Sequence, residues 1–129
     1  MNAMRRHPGR GIMSALLYVM CLCMVARNSF AHAYPDHADP KVGSTVSAAP
    51  SIVRIWFDSD LEPLFSTIMV HAAKGNAMVD KGDGRVDPSD PTLLEVSVPT
   101  LPPGSYTVIW SVVARDGHRT SGNFTFTIK

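Results

Sequence analysis

Residues 123–128, NFTFTI, alternate without a break: Phe124, Phe126 and Ile128 fall on one side, Thr125 and Thr127 on the other. A two-residue period is what a strand with one buried face requires, and it excludes a helix there. Other short runs read as strands by composition and by the turns between them: the β-branched and aromatic IVRIWF at 52–57, FSTIMVHA at 65–72 with apolar character on both faces, AMV at 77–79 after the turn signal KGN at 74–76, TLLEVSV at 92–98 and SYTVIWSVVA at 105–114. Pro, Gly, Ser and Asp separate these runs, PTLPPG at 99–104 most abruptly, and no stretch shows a 3.6-residue period. About seven short strands in ~100 residues predict an all-β fold, a small immunoglobulin-like Greek-key β-sandwich. Trp56 and Trp110 read as its core anchors, and Met69 and Met78 as core packing.

The first thirty residues have a different character. Residues 1–10 carry Arg5, Arg6 and Arg10 and no acid; residues 11–26 carry no charge; Arg27 closes the apolar run. A basic head, a short apolar core and a small-residue exit make a secretory signal peptide. The run falls short of the ~20 residues of a spanning helix, which argues against an uncleaved anchor. Small residues at −3 and −1 allow two cuts. Ser29-Phe30-Ala31 would release His32, and Ala31-His32-Ala33 would release Tyr34. The pattern favours the first by a small margin, giving a signal peptide at 1–31 and one domain at 32–129.

Maturation changes the composition that matters. Cys21 and Cys23 both lie in the leader, so the mature domain has neither thiol nor disulfide. Beyond residue 31 there are eight Lys and Arg against eleven Asp and Glu, a formal net of −3. That balance argues against a nucleic-acid partner, and nothing after the leader is long and apolar enough to span a membrane. The acids gather in FDSDLE (Asp58, Asp60, Glu62) and in DKGDGRVDPSD (Asp80, Asp83, Asp87, Asp90). The second lacks the ligand spacing of a calcium loop and reads as a solvated turn.

Four histidines remain after residue 31: His32, His37, His71 and His118. A histidine at a free N-terminus carries an amine and an imidazole on one carbon, and the two can chelate one ion. His118 lies in ARDGHRTSG at 114–122, two residues after Asp116, with Gly117 between them to permit a close bend. In extended backbone Asp116 and His118 point to one side. Alone, DGH is usually only a turn. Combined with a free His32 it completes a set of three nitrogens and one oxygen, which suits tetragonal Cu(II). No thioether cluster favours Cu(I). His71 reads as a surface or edge histidine, and His37 stays open as a rival or additional ligand.

These residues resemble the CopC/PcoC family of periplasmic copper-resistance proteins. The likeness runs through His32-Ala33, DPKVGSTVSAAPSIVRIWF at 39–57 and LPPGSYTVIWSVVARDGHRTSGNFTFTIK at 101–129. It implies a Greek-key β-sandwich, Cu(II) ligands at His32, Asp116 and His118, the cut after Ala31, a periplasmic location, and work alongside a CopD-like inner-membrane copper transporter. The chain departs from the family in lacking a methionine-rich loop, and it has Asp58, Ser59 and Asp60 where some members place a Glu. The expected role is non-catalytic: sequestering copper or delivering it to the transporter. The alternatives are a copper monooxygenase-like enzyme, which would also begin with a chelating histidine, and a metal-free immunoglobulin-like interaction module.

Overall fold

A computed structural model of the chain describes residues 32–129. The signal-peptide expectation therefore lies outside the described residues. Eight strands follow in chain order: β1 (Pro35–Asp39), β2 (Thr45–Val46), β3 (Ile52–Phe57), β4 (Thr67–Ala72), β5 (Arg85–Asp87), β6 (Asp90–Ser97), β7 (Gly104–Val113) and β8 (Arg119–Ile128). They form two four-stranded sheets, ordered β1-β3-β6-β5 and β2-β8-β7-β4. The pairings are antiparallel except for the short parallel ladder of β2 on β8. This is the expected immunoglobulin-like sandwich.

The alternation read in the sequence is what closes it. Val53, Ile55 and Phe57 of β3, with Leu94 and Val96 of β6, supply one inner face. Ile68 and Val70 of β4, Tyr106, Val108, Trp110 and Val112 of β7, and Phe124, Phe126 and Ile128 of β8 supply the other. Burying side chains of this size is worth roughly 1.5–3 kcal/mol each. Trp110 lies edge-on to Phe57, with ring centroids 5.3 Å apart. It crosses Gly122 so closely that a Cβ there would meet its ring at 2.7 Å. Tyr106 stacks on Phe126 and donates its hydroxyl to the Pro102 carbonyl, which pins the Pro-rich break to β7.

Several expectations need correction. Trp56 is not a core anchor: the inward positions of β3 are 53, 55 and 57, so its ring lies on the outer face and stacks on His37 at 4.4 Å. Met69 and Met78 are 38% and 59% exposed rather than packed inside, because the inward positions of β4 are Ile68 and Val70. Residues 77–79 form no strand of their own. Beyond the KGN turn they make one isolated bridge, Met78 to His71. The strands β1, β2 and β5 carry no apolar alternation and were not expected. Each pairs with a neighbouring strand and adds little to the core, Ala38 from β1 and Val86 from β5 being buried and Val46 of β2 packing against that core.

Candidate metal centre

One end of the sandwich gathers the N-terminal segment, the turn from β7 to β8 and the loop that follows β3. The turn is made by its sequence. The Gly117 amide donates to the Ala114 carbonyl at 2.8 Å, and the Ala114 amide to the His118 carbonyl at 2.9 Å. Gly117 sits at φ +91°, where a side chain would be strained. Asp116 and His118 thus meet across a tight turn, not along the extended backbone expected. Asp116 Oδ1 accepts the His118 amide at 3.0 Å, and its Oδ2 lies 3.0 Å from His118 Nδ1. The carboxyl is held below the ordinary aspartate range, first by the His118 amide and then by the ring and charge of His118, with a smaller contribution from His32.

His32 arrives from the opposite direction. Its ring centroid is 4.6 Å from that of His118, edge to face. The three residues singled out in the sequence therefore converge at one place, although 84 positions separate Asp116 from His32 in the chain. Among the described residues, no three His, Cys, Asp or Glu side chains are closed around a common point as a metal would hold them. A terminal α-amine would lie outside that set, and Asp116 and His118 face each other here.

The other candidates lie elsewhere. His37 is on β1, stacked on Trp56, with Nδ1 2.9 Å from Asp36. His71 is on β4 with Nδ1 3.1 Å from Asn76 Oδ1, on the outer face of the second sheet as expected. Asp58 Oδ1 accepts the Tyr34 amide at 2.8 Å, and Asp60 pairs with Arg115 at 3.5 Å, beside Asp116. The residues that anchor the segment next to His32 carry no metal-ligand signal and were missed. Ala33 is fully buried, and its carbonyl accepts the Thr120 hydroxyl at 2.6 Å. Only the pairing of distant segments identifies them.

Comparison with known proteins gives one consistent result. The model of the CopC domain matches residues 36–129. Protein YobA of Escherichia coli (strain K12) is 31% identical over 113 residues, covering 88% of this chain and 91% of that protein. Copper resistance protein C of Escherichia coli is 31% identical over 111 residues, covering 81% of this chain and 87% of that one. The crystal structure of CopC from Methylosinus trichosporium OB3b superposes with a TM-score of 0.67 at 30% identity, over 76% of this chain and 94% of that one.

Proposed function

The chain belongs to the CopC family, and from that premise we propose that it is an exported, periplasmic Cu(II)-binding protein that sequesters copper or delivers it to an inner-membrane transporter. A copper-related function follows from the membership itself. The proposal adds the ion's oxidation state, the ligands and the route. The observation that carries it is the approach of His32 to the Asp116–His118 turn from the far end of the chain.

The donor set supports Cu(II). Two imidazoles, one carboxylate and a terminal amine are borderline-to-hard donors, and with no thiolate present they match tetragonal Cu(II) better than Cu(I). Cu(II) takes its ligands deprotonated, and Asp116 is already held ionised by the His118 amide. The amine exists only if the leader is removed after Ala31. Burial supports that cut over the one after Ala33. Cutting after Ala33 would discard a core residue together with the carbonyl that Thr120 binds. On this reading the precursor, whose His32 nitrogen is an amide, is a poor copper binder, and maturation creates the site. No catalytic step is part of it.

The test is Cu(II) titration of the exported protein beside a form with one extra residue before His32. Intact mass first establishes the terminus. One tight site in the exported protein, weakened at least tenfold by the extension, supports the proposal. Equal affinity in both forms, or a native chain beginning at Tyr34, overturns it.

A further inference from the structure

A ligand at a chain terminus poses a physical problem. The first residues of most domains fray, because nothing opposes their conformational entropy. If His32 were free to move, ordering it at the moment of binding would weaken copper affinity. Three features of this end of the molecule oppose that loss, and none of them is itself a donor to the ion.

Ala33 is sunk into the core with no exposed surface, as few second residues of a domain are. Its carbonyl accepts the Thr120 hydroxyl at 2.6 Å. Thr120 stands two residues after His118 at the start of β8, so this bond ties the residue next to one ligand directly to the segment that carries another. On the other side, Tyr34 is gripped twice by Asp58. The Tyr34 amide donates to Asp58 Oδ1 at 2.8 Å, and the Asp58 amide donates to the Tyr34 carbonyl at 3.0 Å. Residues 33 and 34 are thus fixed from both sheets, and His32 is left with few positions other than the one beside His118.

We propose that Thr120 and Asp58 are positioning residues for copper binding: they hold residues 33 and 34 so that the amine and ring of His32 are presented to the Asp116–His118 turn before the ion arrives. The inference rests on the Cu(II) reading above. Its physical basis is preorganisation: a group held in its bound place loses less freedom on binding. Outer partners of this kind typically contribute ten- to a hundredfold in metal affinity. Two aspartates follow β3, and this reading gives them different roles. Asp58 grips the terminus, and Asp60 pairs with Arg115.

The experiment compares Cu(II) affinity, by competition with a chelator, and the Cu(II) electron paramagnetic resonance spectrum across exported proteins whose thermal unfolding is measured in parallel. Thr120→Val removes the hydroxyl at nearly constant shape, and Asp58→Ala removes the side-chain acceptor. Each is expected to weaken Cu(II) about tenfold and to broaden the spectrum into more than one species. Thr120→Ser and Asp58→Asn keep the donor and the acceptor, and are expected to recover most of the affinity. The sharper control repeats Thr120→Val and Asp58→Ala with one residue added before His32. With the amine blocked there is little left to position, so each substitution should then cost almost nothing further, whereas general damage to the fold would subtract equally in both backgrounds. Asp58 is exposed, so Asp58→Ala decides the matter if Thr120→Val fails to fold. Wild-type affinity in Asp58→Ala, or equal losses with and without the added residue, overturns the positioning role. Failure of the copper reading is seen separately: the unaltered protein would not bind Cu(II), or His118→Ala would bind as tightly as it does.

Discussion

Two acid-bearing loops of this domain look alike in composition and behave differently. The loop from 80 to 90 holds four aspartates, and the turn from 114 to 118 holds one. In the longer loop every carboxylate is engaged by nearby backbone. Asp80 accepts the amides of Val70 and Gly82, Asp83 that of Ser97, Asp87 those of Ser89 and Asp90, and Asp90 that of Thr92. These are turn-forming bonds that shape the link from β4 to β6 and leave no shared focus. Asp116 also accepts an amide through one oxygen, but its other oxygen faces an imidazole, and a second imidazole stands behind that one. The number of acids therefore does not locate a metal site. Convergence of unlike donors marks the better candidate.

The largest expected effect breaks the comparison on the side of the turn. His118→Ala should weaken Cu(II) by about a hundredfold or more, beyond what an outer-sphere change costs. His37→Ala and His71→Ala should leave affinity unchanged, since both rings are engaged elsewhere. Titration of the three variants checks this, and a loss in His37→Ala equal to that in His118→Ala would mean that β1 wraps the ion in another way. Next in size, Asp116→Ala should cost roughly ten- to a hundredfold in affinity while the apo fold persists, because the backbone bond Asp116 accepts lies within its own turn. Unchanged binding would remove the carboxylate from the ligand set.

The third effect belongs to the acidic loop. Asp80→Ala strands the amide of the buried Val70 without its acceptor, and should cost about 1–2 kcal/mol of stability with no change in copper affinity. Denaturant unfolding beside a Cu(II) titration separates the two. A copper effect without a stability effect would reverse the roles assigned to the loops. The smallest effect is on pH. Asp83 is held below the ordinary value of 3.8, first by the Ser97 hydroxyl and then by its amide, and Asp87 likewise by those of Ser89. A depressed folded value contributes stability above the unfolded one, and that contribution is lost as pH falls through the folded value. The apo melting temperature should therefore hold between pH 7 and 5 on this account and decline only below about 4. A decline already complete at pH 5 would show that other groups control acid unfolding.

Much of this molecule is legible in its sequence because much of it is local. The second half of β8 announces itself through two-residue alternation, β3 and β7 through their β-branched and aromatic runs, and the KGN turn through Gly75 and Asn76, both at positive φ. The first half of β8 does not, since Arg119–Asn123 runs along the partner strand without a continuous buried face. Trp56 illustrates the limit of residue type. An aromatic in a strand looks like core until the parity of the strand is known, and β3 turns 53, 55 and 57 inward.

The candidate site divides in the same way. His32, Asp116 and His118 could be proposed as a set from chemistry, because a histidine released at an N-terminus would offer an amine beside its imidazole, although DGH alone is usually only a turn. The alternating pattern also determined that the chain would close as a sandwich, since side chains on a two-residue period can be buried only by a second layer. What the sequence could not determine is that His32 and His118, 86 residues apart, would face each other, nor that Thr120 and Asp58 would bond the backbone of residues 33 and 34. A hydroxyl or a surface carboxylate has no signature as an anchor. It becomes one only when strand register brings a particular backbone group within 3 Å of it, and register across two sheets is a property of the whole fold.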